Sequence, residues 1–253
     1  MRILEAEGVT KNFGGVCANR DITFFIEEGE ILGLIGPNGS GKTTLINCIG
    51  GNERPDKGSI KFEGRTIVGL RPYQICRLGI SRTYQVVQPF AGMTVRENVV
   101  AGALFGRNPH QSMKTASRKA EEVLEMVHLQ EKLEERAEDL TIVDLKRLEL
   151  AKALVGEPKI LLLDEVMAGL TPRETDDAME LTLKIRKSGI TLFIVEHVMK
   201  AVMGISDRVM ALHHGSLMAT GTPQEIIKNE RVIQAYLGEK FAKKMKRDKE
   251  DVP

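Results

Sequence analysis

Along the first third of the chain, apolar and polar residues alternate in short runs: RILEAE at 2–7, ITFFIE at 22–27, EILGLIG at 30–36 and SIKFEG at 59–64, with glycine-containing turns between them. A period of two places every second side chain on one face, which predicts strands, here a small sheet flanking a first core strand. From about residue 72 to residue 152 the period lengthens to that of a helix. In SRKAEEVLEMVHL at 117–129 it puts Ala120, Val123, Leu124 and Val127 on one face, with Ser117 placed as the N-cap. Two continuous apolar runs follow, KILLLD at 159–164 and ITLFIVE at 190–196, separated by a helix-length segment beginning near Pro172. Runs that are apolar at every position predict parallel strands buried on both faces. The charged stretch EKFAKKMKRDKEDVP, from Glu239 onward, reads as a solvated tail rather than a lipid-binding one.

Composition narrows the class. The 253 residues suffice for one substantial core with a subsidiary lobe. Lys and Arg total 36 against 35 for Asp and Glu, so no global field favours nucleic acid. The three cysteines, Cys17, Cys48 and Cys76, lack metal-ligand spacing and suit a reducing compartment. No window approaches the ~18–20 apolar residues of a membrane span, and the opening MRILEAEGVTKNF is acidic where a signal peptide is apolar. A cytoplasmic chain is expected.

The candidate chemistry is concentrated at three strand ends. GPNGSGKT at 36–43 follows a predicted strand and precedes a helical pattern, the context that the phosphate-binding pattern G-x-x-x-x-G-K-S/T requires. The loop of Gly36, Pro37, Asn38, Gly39, Ser40 and Gly41, continuing into Lys42, Thr43 and Thr44, lets backbone N–H groups close round a di- or triphosphate at a helix N-terminus. Lys42 would neutralise the β and γ oxygens, and Thr43 is placed to ligate Mg²⁺. Asp164 and Glu165 end the strand run KILLLDE at the carboxyl edge of a parallel sheet, where open α/β folds bind ligands, as a Mg²⁺ partner followed by a base. His197 follows the next strand and points to the same edge. Residues 140–154, LTIVDLKRLELAKAL, read as a helix start, with Thr141 and Asp144 matching the capping box S/T-x-x-D/E.

Taken in order, these pieces resemble the nucleotide-binding subunits of ABC transporters over nearly the whole chain. The resemblance implies an α/β P-loop ATPase core with a parallel-strand sheet, a peripheral antiparallel β-subdomain and an inserted α-helical subdomain. Residues 1–85 and 155–238 would form the ATP-binding core with its β-subdomain, 86–154 the helical subdomain and 239–253 the tail. It implies ATP and Mg²⁺, with Thr43, Gln85 and Asp164 serving the metal. Gln85 in GISRTYQ looks like the family's glutamine that senses Mg²⁺ and γ-phosphate and abuts the transmembrane partner. Glu165 looks like its general base and His197 like its switch histidine, while Phe13 in KNFGG stands where an aromatic stacks on adenine. KNFGGVCANRDITFFIEEGEILGLIGPNGSGKTTL, PFAGMTVRENVVAG and GTPQEIIKNERVIQAYLGE look like the ATPase of branched-chain amino-acid importers and close relatives, among them urea and amide importers.

Three departures qualify the match. Thr171 stands where many relatives carry Asp or Asn, and Val198 follows His197 where an acid is common. Against the family's Leu-Ser-Gly-Gly-Gln signature, Leu140 and Thr141 fit, but Ile142, Val143 and Asp144 do not. That segment would hold the γ-phosphate bound by an opposite subunit, and here branched bulk and a carboxylate stand in the way. A heterodimer with an unlike ATPase is therefore expected over a homodimer, beside permease subunits at the cytoplasmic face of the membrane, with an extracytoplasmic solute-binding protein engaged indirectly. The alternatives are a nucleotide-gated subunit with little turnover and a soluble ABC ATPase. The soluble forms usually carry two cassettes or a long coiled coil, neither of which is present. A GTPase would need an N-K-x-D motif, which is absent. A small-molecule kinase would leave 140–154 unexplained.

Overall fold

The computed structural model describes residues 1–109 and 112–236, so the charged tail lies outside the described residues. Strands β1 (Arg2–Phe13), β2 (Val16–Glu27), β4 (Lys57–Phe62) and β5 (Arg65–Thr66) pair antiparallel in the order β2-β1-β4-β5. A second sheet has the order β10-β9-β3-β8-β7-β6, made from β3 (Ile31–Ile35), β6 (Ile80–Arg82), β7 (Ile160–Asp164), β8 (Thr191–Val195), β9 (Arg208–His213) and β10 (Ser216–Gly221). Its pairings are parallel except for the β9–β10 edge.

The alternation inside the apolar runs explains the layers. Every residue of β3, β7 and β8 is buried. Leu161 and Leu163 join an apolar cluster with helices α3 (Val95–Phe105), α4 (Met113–Met126) and α5 (Ile142–Leu154), together with α6 (Pro172–Lys187) and α7 (Met199–Ile205). Ile160 and Leu162 face the other way, toward helix α1 (Lys42–Gly50) and the antiparallel sheet. There Phe24 stacks on Phe193, with ring centroids 5.8 Å apart. Period-two geometry thus turns one apolar run into two cores.

Two readings of the pattern need correction. The helical stretch from 72 is broken: α2 (Pro72–Leu78) leads into β6, and residues 83–94 are irregular. Three residues are too few to show a period, and β6 exists because it pairs with β7. Ser117 is not an N-cap. It lies inside α4, where Ser112 accepts the Thr115 N–H at 3.2 Å and the buried Ala116 extends the apolar face upstream. Ala120, Val123, Leu124 and Val127 are buried as expected.

Candidate functional site

The phosphate loop runs from the end of β3 into α1, and its glycines meet two separate demands. Gly41 caps α1 at φ 99°, and a Cβ there would lie 2.2 Å from the Ala18 carbonyl oxygen. At Gly36 a Cβ would lie 2.4 Å from Ser40 Oγ. Only glycine fits either position. Lys42 Nζ donates to the Gly36 carbonyl at 2.7 Å and to that of Pro37 at 3.1 Å, which lays the ammonium along the loop. Burial pushes the Lys42 ammonium below its usual pKa, while the charges of Glu165 and Asp164 oppose the shift. Thr43 is exposed in the first turn of α1, with Thr44 half-buried beside it.

The loop forms one wall of a cleft of about 840 Å³ whose rim also carries Gln85, Glu165 and His197. Sheet order brings the last two together, since β7 and β8 are neighbours. Glu165 extends that pairing by donating its N–H to Val195 O at 2.8 Å, then turns at φ +52°, a region that non-glycine residues rarely enter. Gln85 Nε2 donates to Glu165 Oε2 at 2.8 Å, and His197 Nδ1 lies 3.7 Å from the same oxygen. The three residues therefore meet at one carboxylate.

Asp164 is 1% exposed, and burial raises its carboxyl above the usual range against the opposing charge of Arg82. Its Oδ2 accepts from Arg82 at 2.8 Å, while Oδ1 has no partner among the described residues. Asp164 does not line the cleft itself, but it precedes Glu165 of the rim and its charge reaches Lys42; its unpartnered oxygen, with the Thr43 hydroxyl and the Gln85 amide oxygen, makes an oxygen-donor set that suits Mg²⁺. Thr43, Gln85 and Asp164 are the residues that would hold the ion. Ser40 Oγ, buried and also without a partner, suits a phosphate oxygen.

Phe13 is 46% exposed at the end of β1, with Lys11 Nζ 5.1 Å from its ring centroid. It is not among the residues lining the cleft, whose adjoining wall is Val16, Cys17 and Ala18. The signature segment is also corrected in part. Thr141 does cap α5, accepting the Asp144 N–H at 3.2 Å. The Asp144 carboxylate, however, is turned aside: it accepts from Thr141 Oγ1 at 2.7 Å and Lys132 Nζ at 3.0 Å, with Arg147 at 3.8 Å. Burial would raise this acid, but those partners together hold it below its usual range. Its charge is met within the chain, so the expected repulsion of an anion falls away. What remains at the helix start is bulk, because Ile142 is 61% exposed.

Sequence reasoning missed the residues that support this site. Asn19, fully buried in β2, donates from Nδ2 to Gly41 O at 3.0 Å and ties the phosphate loop to the antiparallel sheet. Arg82 joins Asp164 to Asn47 of α1. An amide in an otherwise alternating strand was the available signal for Asn19. Arg82 had none.

The family model described as "ABC transporter" matches residues 19–168. The chain belongs to the ABC transporter family. The chain is accordingly a transporter ATPase. The model described as "Branched-chain amino acid ATP-binding cassette transporter" matches residues 216–242 of this ABC chain. The chain is 40% identical to the high-affinity branched-chain amino acid transport ATP-binding protein LivG of Salmonella typhimurium, over 94% of this chain and 98% of that one. It is 40% identical to BraF of Pseudomonas aeruginosa with the same coverage. The crystal structure of the ADP conformation of an ATP-binding cassette of an ABC transporter superposes with a TM-score of 0.85 at 30% identity, covering 94% of this chain and all of that one.

Proposed function

We propose that this chain is the ATP-hydrolysing motor subunit of an importer for branched-chain or related amino acids, working beside an unlike ATPase subunit and membrane permeases. The observation that carries the motor reading is the meeting of Gln85 and His197 at the Glu165 carboxylate, on the rim of the phosphate cleft. The class of solute follows that of LivG and BraF, both branched-chain amino acid transport ATP-binding proteins.

In the mechanism the geometry supports, Lys42 and the loop amides bind the β and γ phosphates, and Glu165 takes the proton of the attacking water. Gln85 orients that carboxylate through its amide, and His197 faces the same oxygen from the end of β8. Mg²⁺, when bound by Thr43, Gln85 and Asp164, supplies charge to the phosphate oxygens. Tyr84, Val86 and Phe90, close to Gln85 in the chain, are exposed apolar side chains suited to contact with membrane subunits. Among the described residues no helix is long and apolar enough to cross a membrane, which fits attachment through such contacts at the cytoplasmic side.

The exposed Ile142 at the signature supports the unlike partner, because glycine there lets a backbone approach a phosphate and isoleucine does not. It also supports the second reading, a nucleotide-gated subunit with little turnover of its own. The test is Mg²⁺-ATP hydrolysis by the assembled complex and by its Glu165→Gln variant. The variant should keep ATP affinity and lose about 10² to 10⁴-fold in rate. Turnover within a few-fold of the parent would remove Glu165 as the base. A parent complex that binds ATP without turning it over would favour the gate.

A further inference from the structure

Glu196 ends the run ITLFIVE, is fully buried and adjoins His197 in the chain, yet the mechanism above leaves it without a task. Its Oε1 accepts the Met167 N–H at 2.7 Å, and its Oε2 has no partner among the described residues. Met167 belongs to the loop 165–171, which begins with Glu165 and ends with Thr171, the N-cap of α6. On the next residue of that loop, the Lys146 ammonium of α5 donates to the Ala168 carbonyl. An acid from the end of β8 and a base from α5 therefore hold adjacent residues of one loop.

The side chains of Val166, Met167 and Leu170 pack on the core cluster, but few strong hydrogen bonds besides these two define the loop's backbone. Its internal backbone bonds are long, at 3.3 Å from Ala168 N to Glu165 O and 3.4 Å from Leu170 N to Met167 O, beyond the range of strong hydrogen bonds. Left-handed backbone occurs near both its ends, at Glu165 with φ +52° and Gly169 with φ +74°. Glycine enters this region freely, but at Glu165 the conformation persists only when the surroundings hold it. Burying a carboxylate with an unpartnered oxygen is unfavourable for folding, so the acid at 196 stands against stability unless its grip on the loop serves another purpose.

We propose that Glu196 is a positioning residue for ATP hydrolysis: through the Met167 N–H it fixes loop 165–171 and hence the direction of the Glu165 carboxylate, with Lys146 as the opposing anchor. The inference rests on the reading of Glu165 as the base. It ties the strand end that carries His197 to the helix that begins at the signature segment, through the loop between them.

The test compares Glu196→Ala and Glu196→Gln in the full chain within its assembled complex, with Glu165→Gln alongside. Glu196→Ala should speed amide hydrogen exchange at Met167 and lower kcat on the order of 10 to 10²-fold, the scale of a small misplacement of a catalytic group. KM and ATP affinity should stay within a few-fold of the parent. Glu196→Gln keeps an acceptor for the Met167 N–H and should restore both slow exchange and rate. Lys146→Met, which releases Ala168, should lower kcat in the same way and keeps the test available if Glu196→Ala does not fold. The proposal is overturned if exchange quickens with kcat unchanged, if kcat, KM and melting temperature fall together, or if Gln performs no better than Ala. Should Glu165→Gln turn over like the parent while Met167 exchange still responds to Glu196→Ala, the reading of Glu165 has failed and the hold on the loop has not.

Discussion

Replacing Arg82 with Met should expose how the buried acid Asp164 is tolerated. The two side chains are 10% and 1% exposed and meet at 2.8 Å, so little solvent screens them. The guanidinium also donates to Asn47 Oδ1 and lies 4.8 Å from the Tyr84 ring centroid. Removing one partner of a buried pair leaves an uncompensated charge, which destabilises by about 3–5 kcal/mol. At roughly 2–4 °C per kcal/mol for a chain of this size, the melting temperature should fall by roughly 6–20 °C. The sign of the pH dependence follows from Asp164, whose carboxyl is already raised by burial against the opposing charge of Arg82. An acid with a raised folded-state pKa binds protons more readily folded than unfolded, so it lowers stability as pH rises from the unfolded value to the folded one. Without Arg82 that pKa rises further. The deficit of the variant should be largest at neutral pH and shrink as Asp164 protonates on acidification. Urea unfolding in EDTA without nucleotide, at neutral and mildly acid pH, measures it. Adding Asp164→Asn to the variant should recover much of the loss. An unchanged midpoint, or a deficit indifferent to both pH and Asp164→Asn, would refute the reasoning.

Other outcomes follow from the same geometry. Gly41→Ala should destabilise by about 2 kcal/mol or more, from a left-handed backbone and a Cβ 2.2 Å from Ala18 O, and a melting curve equal to the parent's would contradict this. Lys42→Ala should weaken ATP binding roughly 10 to 10²-fold through loss of one charge-assisted contact, read by calorimetry. Changing Thr141, Ile142, Val143 and Asp144 to Ser, Gly, Gly and Gln should speed hydrolysis by the chain alone roughly 10 to 10²-fold, the worth of one regained phosphate contact. If the unmodified chain alone matches the restored one across a range of concentrations, the need for an unlike partner fails.

The sequence by itself determined whatever depends on neighbouring residues. The phosphate loop is written locally because its demands are local: the left-handed turn at Gly41 and the close contact of Gly36 with Ser40 can be met only by glycine. Likewise the apolar runs at 159–164 and 190–196 announce strands buried on two faces before any partner is known. Tertiary structure decided the rest. Arg82 meets Asp164 across 82 positions of sequence, and Glu196 meets Met167 across 29, because the order β3-β8-β7-β6 sets their strand ends side by side. No pattern of period two or 3.6 carries that information. At Asp144 the two levels compete. The capping pattern at 141–144 foretold a helix start, and Thr141 does cap α5. Whether the carboxylate would face an incoming phosphate was left to Lys132, which comes from a neighbouring turn and takes the charge for itself.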